Sequence, residues 1–126
     1  AHGLDKSSVQ ENANSTEDAG SEAIKSLLQN KALPQAIVCA SDLIAMGVLR
    51  ALRQAKVNVP DDVAVVGYDN IAVSAYTTPS LTTVQQNTKL AGELLVNTLL
   101  KAINNEEVED YLMPADIIIR QSCGSD

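Results

Sequence analysis

Aromatic residues are nearly missing from this chain. It has three tyrosines, Tyr68, Tyr76 and Tyr111, and neither Phe nor Trp. A core cannot then rest on rings and must come from Ile, Leu, Val and Ala, which suits parallel strands covered by helices. Histidine is equally scarce. His2 is the only one, and it stands at a terminus, where tags and frayed ends accumulate. No GxSxG elbow, Walker loop or metal-ligand spacing accompanies it, so nothing supports an enzyme, and no cofactor or metal is implied. The two cysteines, Cys39 and Cys123, make no metal or redox motif. Cys39 sits in an apolar strand pattern, where a buried free thiol is the default; a disulfide to Cys123 is the rarer alternative inside cells.

Positive charge is short as well. Nine Lys and Arg are scattered among sixteen Asp and Glu, for a net charge of −7. A surface that grips nucleic-acid phosphates needs clustered basic side chains, and no basic run occurs, so this chain is not expected to touch DNA itself. No apolar run approaches the roughly 20 residues that span a bilayer, and no signal peptide is apparent. The chain opens Ala1-His2 without an initiator Met and reads as a piece of something longer. Its 126 residues fit one domain at most, large enough to bury a sizeable core.

What is present is an alternation of helix and strand. Residues 1–14 are polar, with at best a short strand around Ser8–Glu11. Ser15 followed by Asp18 resembles a capping box, and Ala23, Ile24, Leu27 and Leu28 lie at helical spacing in the stretch Ala19–Asn30. Ala36–Ala40 is a continuous apolar run short enough for a strand buried on both faces. Ser41 and Asp42 can cap a helix running to about Ala55. After the turn Asn58–Asp62, Val63–Gly67 is a second buried strand, and strand, helix, strand with short links predicts a parallel βαβ unit. Leu81–Val84 reads as a strand, and Thr88–Ile103 as a long helix with Ala91, Leu94, Leu95, Thr98, Leu99 and Ala102 in one stripe. Tyr111–Met113 and Asp116–Arg120 read as two short strands split by Pro114. The fold class is α/β, a parallel-sheet lobe.

In open parallel sheets, ligands bind beyond the carboxyl ends of the strands. Two such ends are legible: Ser41-Asp42 after Ala40, and Tyr68-Asp69-Asn70 after Gly67. Short acids and amides accept and donate in fixed directions, as sugar hydroxyls or purine edges require. The plain alternatives stand beside this. Asp42 is a good helix cap, and Asp69-Asn70 suits a turn. Gly67 reads as a point of close backbone approach.

Four segments together resemble the lactose-repressor family of transcriptional regulators. Pro34–Gly47 is similar to its P-x-A-I, strand, N/S-D, x-x-A-x-G pattern. Val59–Asn70 is similar to V-P-x-D-V-x-V-V-G-Y-D, and Pro79–Gln86 to P-x-L-T-T-V-x-Q. Gly92 falls in the L-G-x-x-A position, and Ile119–Ser122 resembles the closing V-x-R-x-S. The order and spacing are the family's from about residue 15 to 122.

The resemblance implies a cytoplasmic homodimeric repressor with a small-molecule effector, a sugar or a nucleobase-like compound. Operator DNA would be bound only through an amino-terminal module outside this chain. The fold implied is a three-layer, periplasmic-binding-protein-like lobe, incomplete here because its first strand and helix would lie upstream. Thr88–Ile103 would pack on a second, missing lobe. By position, Asp69 is the implied ligand acid, Ser41 and Asp42 an amide or acid pair, and Gln86 a crossover residue facing the cleft. Ser15 stands where the family commonly has a stacking aromatic, and Thr88 where a second one often follows; both departures weaken the inference of ligand type. The surplus of apolar residues on Asp42–Ala55 suggests a dimer face of Leu43, Met46 and Leu49, joined by Tyr76. A periplasmic-type sugar-binding protein is the second reading, and an α/β enzyme fragment the third.

Overall fold

The computed structural model describes residues 14–125. His2 and the strand expected around Ser8–Glu11 lie outside them. The first helix, α1, spans Glu17–Gln29, and its cap is Thr16, whose hydroxyl accepts from the Ala19 amide at 3.3 Å. The expected Ser15–Asp18 box is thus displaced by one residue. With the helix starting at Glu17, Ala19 is the third helical residue, and only an oxygen on Thr16 is set to reach its amide. Glu17 and Asp18 occupy the first turn, where they favour the positive end of the helix dipole.

Strand β1 (Ala36–Val38) is followed by α2 (Asp42–Gln54) and β2 (Ala64–Tyr68). A 3-10 turn, Ala72–Tyr76, then leads to β3 (Thr82–Gln86), α3 (Thr88–Ile103) and β4 (Ala115–Ile118). The sheet order is β1-β2-β3-β4. The first three strands are parallel, as the βαβ pattern predicts, and β4 closes antiparallel on β3, with Thr83 opposite Ile118 and Gln86 opposite Ala115. Tyr111–Met113 is not a strand. The pairing with β3 is used up by Ala115–Ile118, and Pro114 offers no N–H to extend a ladder.

Helices α1 and α2 cover one face of the sheet. They approach so closely that a Cβ on Gly47 would strike the Glu17 carbonyl, and the Ser21 hydroxyl donates to the Gly47 carbonyl at 3.0 Å. Beneath them lie Ile24, Val48, Leu49, Leu52, Val63, Val65 and Leu81, all buried. The opposite face has no helix on it among the described residues. Val38 is 81% exposed, so β1 is not buried on both faces as its apolar run suggested. An apolar strand declares two faces to cover, and here only one cover is present.

Helix α3 has the expected bounds, Thr88–Ile103, but none of its residues is buried. Leu95 is 70% exposed, and Leu99, Leu100 and Ile103 are exposed with it. Among the described residues no helix is long and apolar enough to cross a membrane.

Candidate functional site

Because β1, β2 and β3 run parallel in adjacent positions, their carboxyl ends form one row: Ser41 after β1, Asp69 after β2, and Gln86 at the end of β3. Asp69 and Gln86 are exposed, and Ser41 is half-buried. The Asp69 amide donates to the Val84 carbonyl at 2.9 Å, which pins its backbone to β3. Asp69 (φ 108°) and Asn70 (φ 51°) both have positive φ. This region costs L-residues energy, least of all Asn and Asp, and it turns the chain sharply off the sheet at this point.

Ser41 and Asp42 have separate tasks. Ser41 caps α2, its hydroxyl accepting from the Ile44 amide at 3.3 Å. Asp42 is not the cap. It is fully buried; one carboxylate oxygen accepts from the Thr83 hydroxyl at 2.6 Å and the other from the Ile71 amide at 2.9 Å. Both oxygens are therefore spent inside the lobe, one on the turn that follows Asp69 and the other on β3. Gly67 is needed for this, since a Cβ there would collide with the Asp42 carboxylate and crowd Leu81. Burial, with the nearby Asp42 charge adding to it, pushes the Cys39 thiol up to about 12. Both cysteines are free thiols. For Cys123 partial desolvation pushes upward, but hydrogen bonds from Thr82 and Ser125 outweigh it, and the thiol lies below its ordinary value.

Ser15 is exposed just before α1. Of the apolar set on α2, Leu43 is 40% exposed and Met46 half-buried, while Leu49 is only 6% exposed and belongs to the core. Leu49 nonetheless shares a surface hollow with Met46 and Tyr76. Tyr76 is 84% exposed beside a hollow of about 260 Å³ that Met46, Leu49, Arg50 and Arg53 also line. A larger hollow, about 420 Å³, lies away from the strand exits, among Pro60, Ser80, Ile119 and Gln121.

Sequence reasoning did not find the polar frame behind Asp69. Arg120 follows β4, and its guanidinium donates to the Leu81 carbonyl at 2.7 Å, to Asn70 Oδ1 at 2.8 Å and to the Ser74 hydroxyl at 3.0 Å. The Asn70 side-chain amide in turn donates to Gln85 Oε1 at 3.0 Å. The available signals were the cation that closes the apolar run Ile117-Ile118-Ile119 and its place as the Arg of the V-x-R-x-S resemblance, neither of which names its partners.

Comparison with known proteins fits this geometry. The family described as periplasmic binding protein-like domain matches residues 1–123. The HTH-type transcriptional repressor PurR of Glaesserella parasuis serovar 5 is 34% identical over 113 residues, covering 83% of this chain and 33% of that protein. The ribose operon repressor of Escherichia coli K12 is 38% identical over 104 residues, covering 82% of this chain and 32% of the repressor. Among solved structures, the lac repressor dimer bound to operator and the anti-inducer ONPF superposes with a TM-score of 0.79 at 29% identity, over 86% of this chain and 38% of that one. The chain spans about a third of the length of the curated relatives it matches. It belongs to the periplasmic binding protein-like domain family and, within it, to the lactose-repressor-type regulators.

Proposed function

We propose that this chain is the small-molecule-binding and dimerisation part of a cytoplasmic transcriptional repressor, and not an enzyme. The observation that carries the reading is the exposed Asp69 carboxylate, standing at positive φ between Ser41 and Gln86 at the parallel strand exits. An acid flanked by a hydroxyl and an amide suits an effector rich in hydroxyls or ring N–H groups, a sugar or a nucleobase-like compound. In this proposal Asp69 is the principal contact, and Ser41, Gln86 and Ser15 rim the pocket. Asp42 takes part from below, through the turn it anchors. The remainder of the pocket and the DNA-reading module belong to chain beyond these residues. The net charge of −7 agrees with DNA being bound elsewhere.

Leu43, Met46, Leu49 and Tyr76 are the proposed contacts with a second copy, since Leu43, Met46 and Tyr76 leave apolar surface in water on one side of α2 and Leu49 lines the hollow between Met46 and Tyr76. The effector acts through its different affinities for two arrangements of the protein, and so changes the affinity for operator DNA by linkage. The alternative of a periplasmic-type sugar-binding protein has less support, because the named relatives are repressors.

The test is a thermal-shift screen of the full-length protein against sugars, phosphosugars and purines. One chemical class raises the melting midpoint, because a ligand that binds only the folded state stabilises it by mass action, and Asp69→Asn abolishes that rise. A full shift retained in Asp69→Asn overturns the assignment.

A further inference from the structure

Two charged side chains flank the turn that carries Asp69, and neither has an ionic partner among the described residues. Asp42 is fully buried and Arg120 half-buried. The ion pair found among the described residues is Lys25–Glu22, on the surface of α1. A charge drawn out of water without a counter-ion is tolerated only where fixed dipoles replace the water. Here the dipoles come from one segment. Asp42 takes the Ile71 amide and the Thr83 hydroxyl, and Arg120 takes Asn70 Oδ1, the Ser74 hydroxyl and the Leu81 carbonyl.

The two charges are connected. The Thr83 oxygen that donates to Asp42 accepts from the Asn70 amide at 3.2 Å, and the Asn70 side chain accepts from Arg120. A guanidinium only donates, so it fixes which end of the Asn70 amide faces it. Oδ1 must point to Arg120, and Nδ2 is left to donate to Gln85, the neighbour of Gln86. The left-handed backbone of Asn70 is thereby held from its side chain, its own amide and the amide of Ile71.

We propose that Arg120 is a positioning residue: through Asn70 it locks the Asp69–Ile71 turn, and so sets where the Asp69 carboxylate stands relative to Gln86. Its importance to ligand binding rests on the reading of Asp69 as the effector contact, but the lock itself does not. Arg120 makes no ligand contact in this scheme.

Hydrogen exchange of the full-length protein, read by mass spectrometry without ligand, tests the lock. Arg120→Gln speeds exchange across Tyr68–Ser74 by about tenfold or more, while Ala45–Leu52 in the core stays within about twofold, because losing the lock opens the turn locally. Arg120→Lys keeps the charge but not the fork, gives an intermediate rate, and decides the matter if the Gln variant does not fold. Unchanged exchange at Tyr68–Ser74 overturns the proposal, and so does an equal rise in the core, which would make Arg120 a general support of the lobe. The effector reading is judged separately by Asp69→Asn in the thermal-shift screen, so each idea fails on its own result.

Discussion

Helices α2 and α3 are both rich in Leu, Val and Ala, yet they end in opposite circumstances. On α2 the residues Ala45, Val48, Leu49, Ala51 and Leu52 are buried between α1 and the sheet. On α3 nothing is buried, and Leu95, Val96, Leu99, Leu100 and Ile103 meet solvent. The difference does not lie in helix-forming power, since each helix has a side-chain cap, Ser41 in one case and Asn87 in the other. It lies in what stands opposite. An apolar face states that a partner surface is needed but does not supply it, and the chain has one for α2 only among its described residues.

Substitutions at Leu52 and Leu99 set the two helices against each other most sharply. Leu52→Ala lowers the unfolding free energy by about 2–5 kcal/mol, the usual cost of a cavity in a packed core. Leu99→Ala on α3 changes it by no more than about 0.5 kcal/mol, as for a surface site. Urea unfolding measures both, and a large loss at Leu99 would mean that α3 is packed after all.

Glycines in the packed sheet beneath α2 and on α3 sharpen the contrast, because the same substitution changes sign. Gly67→Ala drives a methyl into the Asp42 carboxylate and Leu81, and costs about 1–3 kcal/mol as an overpacked site. Gly92 has nothing within 4 Å of where a Cβ would stand, so Gly92→Ala gains up to about 1 kcal/mol of helix propensity. Unfolding midpoints report the first, and far-ultraviolet helicity reports the second.

The cysteines give the smallest effect. Cys123 labels readily with a maleimide in the native protein, whereas Cys39 labels only when the fold opens, its thiol being raised to about 12. The same shift sets a pH dependence. The folded thiol keeps its proton up to about 12, while the unfolded one ionises near its ordinary 9.0. Stability from this group is therefore complete below 9 and is lost as the pH climbs from 9 toward 12. Cys39→Ala removes that alkaline decline, as urea midpoints at about pH 8 and about pH 10 would report.

Much of the fold was legible because local periodicity and capping chemistry decide it. The parallel βαβ unit, the helix Thr88–Ile103 and the turn at Asp69-Asn70 all follow from spacing and from residue types with strong backbone preferences. Two strand readings went astray for one reason: each depended on a surface that no local pattern describes. β1 is open on one side because no second cover is present among the described residues, and Tyr111–Met113 is not a strand because β3 has no further edge to offer it.

The site divides in the same way. Asp69 and Ser41 were readable as polar residues at strand ends, since strand direction alone lines up their exits, whereas Gln86 was placed only by the family resemblance. The task of Asp42 was not, because an Asp at a helix start looks alike whether it caps, binds a ligand or braces a distant turn. Nor was that of Arg120, whose partner Asn70 lies far off in sequence. By itself the sequence determined the elements, their parallel order and the family, through short-range preferences and motif order. Only the tertiary structure decided which apolar faces are covered and which charged groups, buried Asp42 and half-buried Arg120, brace the turn at Asp69. Burial and hydrogen bonding between remote segments depend on where the chain returns to itself, and no window of neighbouring residues contains that.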